Sequence, residues 1–215
     1  DVELDFTLNF LDNPLNPTRG FLLSSGFSYI NKREEGAFEN FLKWEGAIKA
    51  AVNVRKALVV ALYFRYADSQ ILDGEDLPEV ERYRLGGIQG MRGFEDDGIN
   101  PVDENGDPTD YFGGNVMLTG SLEMRFPILR RLGLWGVGFF DWGALAVHRS
   151  EFTPRSIRTS AGLGLRYLVG GQVPLRIDYG VNLDRRCRGV RTLQGCPSGQ
   201  LEPAGTAQFA IMYPF

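Results

Sequence analysis

Residues 2–10 of the sequence are VELDFTLNF. Apolar and polar side chains alternate through this whole stretch, and the apolar set is Val2, Leu4, Phe6, Leu8 and Phe10. An alternation with a period of two is typical of a β-strand, because successive side chains of an extended chain point to opposite faces. The stretch therefore predicts a strand with one apolar face and one polar face.

The same alternation returns along the chain and predicts about nine strands. It is clear in residues 116–126, where Leu122 and Met124 alternate with Glu123 and Arg125. Short turns rich in Gly, Pro and Asn are predicted at residues 13–20, 53–56, 127–133 and 169–172, and a polar loop is predicted at residues 31–40. We therefore predict an all-β fold of antiparallel strands, joined alternately by short and long connections.

Two all-β architectures fit an alternating pattern. A soluble β-sandwich hides its apolar faces in a core, whereas a transmembrane β-barrel turns them toward lipid. Here the apolar face is rich in Phe, Trp, Tyr and Leu, and the opposite face mixes Gly and Ser with charges of both signs. Short turns on one side and long loops on the other are typical of outer-membrane barrels, so we favour the barrel and keep the sandwich as the alternative.

Composition excludes several other classes of protein. A chain of 215 residues that is 43% hydrophobic is not a disordered polymer, and its net charge of −4 provides no basic surface for nucleic acid. The most apolar run, residues 57–64, ends at Arg65 and is far shorter than the ~20 residues of a transmembrane helix. Because the chain begins with Asp1 and carries no secretory signal, we expect it to be processed or excerpted.

The two cysteines, Cys187 and Cys196, lie in a connection rich in Gly, Pro and Arg. We predict a disulfide between them, which needs an oxidising compartment. The alternative is two free thiols in an exposed loop. No metal-ligand cluster, phosphate-binding loop or catalytic serine motif is present in the sequence, so we predict no metal, no cofactor and no enzymatic activity.

The longest connection, about residues 68–115, is much longer than ordinary strand connections, and such loops are usually functional or disordered. Its residues 83–94 are YRLGGIQGMRGF, in which glycines bracket the tip Met91, Arg92, Gly93 and Phe94. A cation on a glycine-hinged tip predicts an extracellular loop that folds back into a polar lumen. The alternative is an Arg92 side chain that stays solvated.

Several motifs in order along the chain resemble the BamA superfamily of outer-membrane assembly and translocation barrels. The tip MRGF at residues 91–94 is similar to the sixth-loop signature of that family. The other similar stretches are DNPLNPTRG at 12–20, SLEMRFP at 121–127, FFDWG at 139–143, AGLGLRY at 161–167, RIDYG at 176–180 and the terminal Pro214-Phe215.

The resemblance implies that residues 1–215 are the C-terminal part of a larger barrel in the bacterial outer membrane, with periplasmic domains and earlier strands absent. An organelle outer membrane is the alternative location. Phe215 is then the C-terminal signal of the barrel. An odd number of antiparallel strands does not close on itself, so earlier strands or another chain must complete the wall.

The resemblance also implies a role for the loop tip. In the family, the tip arginine pairs with acidic residues of the inner wall, and Glu123 and Asp141 occupy the matching positions. The alternation of their strands independently places both carboxylates inward. The alternative is that Glu123 pairs with Arg125 or Arg166 and that Arg92 has no wall partner.

The function implied by the resemblance is non-enzymatic insertion of unfolded β-barrel clients into outer-membrane lipid through a lateral seam. One alternative is a polypeptide secretion pore of the same superfamily with the loop as a movable plug. Others are the barrel anchor of a fused lipase-type enzyme and a purely structural barrel.

Overall fold

A computed structural model gives the fold of the chain. It describes residues 1–14, 16–34, 37–55, 58–74, 76–103, 109, 111–170, 173–187 and 201–211.

Nine β-strands form a single antiparallel sheet, and each strand pairs with the next one in sequence. The strands are β1 (Val2–Asn9), β2 (Gly20–Glu34), β3 (Ala37–Arg55), β4 (Leu58–Asp73), β5 (Val116–Leu129), β6 (Leu134–Ala146), β7 (Arg158–Val169), β8 (Val173–Asn182) and β9 (Gly205–Ile211). Three single 3₁₀ turns lie in the connections, at Glu79–Glu81, Arg130–Leu132 and Arg149–Glu151. The predicted all-β fold of nine antiparallel strands is confirmed.

The strand ends differ from the prediction at one side of the sheet. Residues 31–40 were expected to form a polar loop, yet β2 and β3 stay paired from Gly20↔Ala51 to Glu34↔Ala37. Similarly, β4 continues to Asp73, past the expected start of the long connection at Asp68. The reason is that alternation is needed only where one face of a strand borders an apolar phase, whereas the hydrogen-bonded ladder can continue beyond that phase.

Strand lengths agree with this explanation. β2, β3 and β4 contain 15, 19 and 16 residues. Crossing the hydrocarbon layer takes only about 9–11 residues of a tilted strand. These three strands are therefore long enough to cross a bilayer and extend beyond it.

Burial in the sheet is inverted relative to a soluble protein. The apolar face is exposed, with 65% of Leu4 and 72% of Leu163 accessible. The charged face is covered, with only 2% of Glu123 and 1% of Asp141 accessible. A sandwich would bury the apolar face against a second sheet, and the described strands form one sheet only. The alternation therefore belongs to a membrane sheet, and the sandwich alternative is wrong.

The sheet is open among the described residues. β1 pairs with β2 alone and β9 pairs with β8 alone, so the two end strands do not meet. Because every pair is antiparallel, the first and ninth strands run in the same direction. The expectation that the long connection enters the lumen of a closed barrel therefore stays a prediction.

The turn between β1 and β2 contacts the charged face of the sheet from one end. The Nη1 atom of Arg125, on β5, lies 3.5 Å from Asn16 Oδ1 and 3.5 Å from the carbonyl oxygen of Pro17. Asp12 shapes this turn by accepting hydrogen bonds from the Thr18 hydroxyl and from the backbone N–H of Thr18. The turn thus reaches across the charged face of the sheet.

None of the helical segments in the described ranges is long and apolar enough to cross a membrane.

Candidate functional site

The connection between β4 and β5, residues 74–115, packs against the charged face of the sheet. Isolated β-bridges, Tyr83↔Gly114 and Leu85↔Ile99, fold it onto itself. A small apolar core joins it to the sheet, made of Ala67, Tyr83, Leu85, Met91, Phe94, Ile99, Met117 and Leu145. Met91 and Phe94 of the predicted tip are both buried in this core. Met91 and Phe94 therefore hold the connection on the sheet by apolar contacts on either side of the buried Arg92.

Glycines allow the tip to approach the sheet closely. Gly86, Gly87 and Gly93 all adopt positive φ, with φ of +87° at Gly93. The backbone of Gly93 packs directly on Gly180 of β8, where an added Cβ would lie 2.4 Å from the Gly93 nitrogen. Two glycines facing each other give a backbone-to-backbone contact that no larger residue permits.

Arg92 forms a paired contact with Asp141 of β6. Its Nε lies 2.7 Å from Asp141 Oδ2 and its Nη2 lies 2.6 Å from Oδ1. The Arg92 backbone N–H also donates to Oδ2, at 3.1 Å. A guanidinium that binds both oxygens of one carboxylate fixes the orientation as well as the charge. The tip is therefore held by its main chain and side chain together.

The remaining donors of Arg92 reach β5. Nη1 lies 2.5 Å from Glu123 Oε1, and Nη2 donates to Ser121 Oγ at 2.7 Å. The guanidinium carbon lies 3.6 Å from the centre of the Phe139 ring. The structure thus brings Arg92 together with both predicted partners, Glu123 and Asp141, and adds a hydroxyl and an aromatic face. The alternative of a solvated Arg92 is wrong, since only 2% of the residue is exposed.

A wider ion-pair network surrounds this contact. Glu123 also accepts from Arg125 Nε at 2.7 Å and from Arg166 Nη2 at 3.2 Å. Asp178 of β8 accepts from Arg166 Nη1 at 2.5 Å and from Arg176 Nε at 2.7 Å. The pairing of Glu123 with Arg125 and Arg166, considered as an alternative to Arg92, occurs in addition to it. Buried charges of this kind are tolerated when each has partners of opposite sign.

Sequence reasoning did not assign Asp178 and Ser121 to the site. Asp178 Oδ2 lies 3.6 Å from Arg92 Nη1, so it belongs to the same electrostatic cluster. Two signals were available: the alternation placed both residues on the charged face, and both lie in stretches that resemble the family, at 121–127 and 176–180. Which of the inward charges meet depends on strand register, and register is not visible in a single sequence.

The environment fixes the charge of Arg92. Burial opposes the charged form, but the hydrogen bond with Asp141 and the negative charges of Glu123, Asp141 and Asp178 outweigh it and raise the pKa of Arg92 above its ordinary value. Arg92 therefore stays protonated at any working pH, and the tip keeps its affinity for the carboxylates.

Phe94, next along the tip, contacts a second buried ion pair. The Arg158 guanidinium carbon lies 5.0 Å from the centre of the Phe94 ring. Arg158 in turn donates through Nη2 to Glu202, which also accepts from Asn182 Nδ2 at 2.9 Å. Glu202 lies in the connection that precedes β9, so the tip is linked to the last hairpin of the sheet.

Two predicted features fall wholly or partly outside the described residues. Cys187 is described, is buried and forms an isolated bridge with Leu201, but Cys196 is not described. The disulfide between them therefore stays a prediction. Phe215, the predicted C-terminal signal, is also outside the described residues.

Across the ranges that the structure describes, no three His, Cys, Asp or Glu side chains are grouped so that they could hold a metal ion.

The fold and this cluster together define a class of protein. A single antiparallel sheet exposes its apolar face and covers a charged face, on which an arginine-tipped connection is pinned. Only a protein whose outer surface meets lipid is stable with this arrangement, and the strands cross as in outer-membrane β-barrels. The class is that of integral outer-membrane β-proteins.

The Omp85 superfamily domain matches residues 1–192, and the chain belongs to this superfamily. The sequence is 30% identical over 183 residues to the outer membrane protein assembly factor BamA of Nitratidesulfovibrio vulgaris, covering 83% of this chain and 22% of that protein. It is 27% identical over 130 residues to a SAM50-like protein of Schizosaccharomyces pombe, covering 57% of this chain and 26% of the relative. The family predicted from the motifs is confirmed.

The fold is similar to that of a solved relative, the crystal structure of BamA from Haemophilus ducreyi lacking POTRA domains 1-3. The TM-score is 0.67 at 18% identity, and the match covers 98% of this chain and 42% of that one. The chain thus spans about a quarter or less of the curated relatives and under half of the solved one. Family and fold together confirm the predicted outer-membrane location.

Proposed function

We propose that this chain is the C-terminal barrel portion of an outer-membrane assembly factor that inserts unfolded β-barrel proteins into the membrane without enzymatic chemistry. Two lines of support are the membership of the Omp85 superfamily and the name of the bacterial relative, an outer membrane protein assembly factor. The observation that carries the proposal is the burial of Arg92 between Asp141 and Glu123, because it supplies the expected latch for the long connection.

The open edges of the sheet supply the mechanism in this proposal. An unpaired strand edge in lipid leaves backbone N–H and C=O groups without partners, at a cost of several kcal/mol for each group. Strands from an earlier part of the protein or from another chain therefore cover β1 and β9. Because these two strands run in the same direction, a wall closed only by antiparallel pairs needs an odd number of added strands.

A weak seam in such a wall offers a template for client strands. An extended client segment adds to an exposed strand edge through main-chain hydrogen bonds, which do not depend on its side chains. This suits a machine that accepts many unfolded β-barrel clients in the presence of outer-membrane lipid. In this proposal the periplasmic domains deliver the client to the seam.

Arg92 sets the rigidity of the wall in this proposal. It connects β5 and β6 through Glu123 and Asp141, and it fixes a connection that packs over the charged face of the sheet. With the tip seated, the central strands move as one body and deformation is confined to the end strands.

The test is replacement of the natural gene by variants, followed by measurement of the amounts of other β-barrel proteins in the outer membrane. Arg92→Ala should lower these amounts, because it removes every side-chain bond to Asp141. Arg84→Ala is the matched control, since Arg84 lies in the same connection but its ion pairs to Glu79 and Asp97 are long, at 3.7 and 3.8 Å. Depletion of the whole protein without any loss of client barrels would defeat the proposal.

A secretion pore is the second candidate, and one feature favours it. The charged face of β1–β4 borders a polar cavity of about 650 Å³, lined in part by Glu3, Lys43, Glu45, Lys49 and Arg65. A water-filled path beside a seated loop is what a plugged pore requires. If the loop is a plug, Arg92→Ala should raise single-channel conductance sharply in a planar bilayer, whereas an assembly factor should show little change.

A further inference from the structure

The tip of the long connection contacts the last described strand directly. Gln208 of β9 donates through Nε2 to the carbonyl oxygen of Phe94 at 2.7 Å. Thr206, two residues earlier on the same face, lies with Oγ1 3.5 Å from the carbonyl oxygen of Gly93. These carbonyls belong to the two residues that follow Arg92, so the tip meets β9 immediately beside its own anchor.

β9 is the strand of the sheet for which an extra attachment matters most. Its described part, Gly205–Ile211, pairs among the described residues with β8 alone, from Val181↔Gly205 to Leu175↔Ile211. In the proposed wall the other side of β9 lies at the weak seam, and a strand held firmly by one ladder frays more easily than a strand held firmly on both sides. A side-chain bond from its centre to a fixed point on another element therefore changes its freedom to leave the sheet.

The tip is such a fixed point. Arg92 is bonded to Asp141 on β6 and to Glu123 on β5, and the tip backbone rests on Gly180 of β8. The contact with Gln208 thus joins β9 to β5 and β6 by a route that does not pass through the strand ladder.

The Gln208 side chain depends on the tip for its placement. Its Oε1 is buried without a hydrogen-bond partner among the described residues, while its Nε2 donates to Phe94. A buried acceptor without a partner is unfavourable, so this rotamer is held by the bond that Nε2 donates and by the packing of the tip. If the tip left, the whole amide would be free to hydrate.

A second contact acts on the same hairpin. The Phe94 ring faces Arg158 at 5.0 Å, and Arg158 is paired with Glu202, which lies just before β9. Phe94 therefore touches β9 through its carbonyl oxygen, and its ring faces Arg158 of β7, which is paired with Glu202. Both contacts are lost together if the tip is released.

We propose that Gln208 is a positioning residue that ties β9 to the loop tip, so that unseating the tip also loosens this strand. The relevance of this coupling to a seam rests on the proposed function. The coupling itself is a property of the fold and can be measured without any client.

The experiment is hydrogen–deuterium exchange of the full-length protein in lipid vesicles, with peptides covering residues 205–211 and 83–99. Gln208→Leu removes the donor at nearly constant volume and should speed exchange in 205–211 by about three- to tenfold, as expected for loss of one hydrogen bond, while 83–99 is unchanged. Thr206→Val should have a smaller effect, because its contact is long. Gln70→Leu, at an exposed glutamine of β4, is the control and should change neither peptide.

A pair of variants separates coupling from a local packing defect. Arg92→Lys should speed exchange in both peptides, and Gln208→Leu added to it should produce no further increase in 205–211. Wild-type exchange of β9 in Gln208→Leu, or effects of the two variants that simply multiply, would overturn the coupling. Client insertion is assayed in the same vesicles: altered exchange with unchanged insertion supports the coupling and counts against its place in the proposed mechanism.

Discussion

Replacing Arg92 by alanine removes the one side chain that joins the long connection to three acidic residues. Three hydrogen bonds to Asp141 are found within the described residues, and all come from Arg92, one from its main chain and two from its side chain. Glu123, by contrast, keeps Arg125 and Arg166 as partners. The variant therefore leaves Asp141 as the carboxylate that loses its compensating charge.

The size of the effect follows from burial. Only 1% of Asp141 is exposed, so water cannot replace the guanidinium without opening the site. Breaking a buried ion pair by removal of one partner costs about 3–5 kcal/mol, because the other charge stays behind. We expect a loss of this size in the free energy of unfolding for Arg92→Ala. Asp141→Asn should cost less, about 2 kcal/mol, because Arg92 retains Glu123.

The assay is urea unfolding of the full-length protein from lipid vesicles, followed by tryptophan fluorescence. The double variant Arg92→Ala/Asp141→Asn removes both charges, so its loss should be smaller than the sum of the single losses by about 2 kcal/mol. Arg84→Ala is carried in parallel and should leave the midpoint close to that of the natural sequence. Additive losses in the double variant would refute the claim that Arg92 and Asp141 stabilise the fold as a pair.

Three further predictions test other parts of the structure. Gly180→Ala should unseat the tip, because the new methyl group would lie 2.4 Å from the Gly93 nitrogen, and it should speed protease cleavage within residues 74–115. Leu163→Arg should destabilise the protein in vesicles by about 2–4 kcal/mol if its exposed side chain faces the middle of the bilayer, whereas a water-facing leucine would tolerate the change. Burial raises the pKa of Tyr83 from 10.0 to about 12. Its neutral form therefore stabilises the fold fully below pH 10, and this contribution disappears as the pH rises toward 12, so Tyr83→Phe should reduce the fall of the urea midpoint between pH 9 and pH 11.

Each of these has a distinct contrary outcome. Unchanged cleavage in Gly180→Ala would show that the tip does not rest on β8. A Leu163→Arg protein as stable as the natural one would place that face in water. Parallel pH profiles for Tyr83→Phe and the natural sequence would mean that the Tyr83 hydroxyl does not report on the seating of the connection.

Much of the fold could be predicted because successive side chains of a strand alternate between an apolar face and a charged face. The alternation through Leu122, Glu123 and Met124 gave the face of each side chain correctly, and nine strands followed from its repeats. The same alternation does not show whether the apolar face contacts lipid or a soluble protein core. The asymmetry of turns and loops favoured lipid, and the exposure of residues such as Leu163 in the folded sheet then excluded a soluble core.

The site was less predictable, for a related reason. Glycines around Arg92 indicated a tip, and the family motif pointed to Glu123 and Asp141. Asp178 escaped prediction because its distance to Arg92 depends on the stagger of three successive strand pairs. The ends of β2 and β4 were not predicted either. The apolar–polar alternation stops near polar residues such as Lys32 and Asp73, although their backbone stays paired.

The position of Arg92 along the chain has a consequence for the order of assembly. Its partners Ser121, Glu123 and Asp141 follow it by 29, 31 and 49 residues, and Gln208 follows Phe94 by 114. The tip is therefore synthesised before the strands that carry these partners, and closing loops of this length slows folding. Seating of the tip cannot precede the docking of β5, β6 and β8. A protease-resistant connection therefore indicates that β5, β6 and β8 have already docked, and its appearance in a time course would mark that stage of folding.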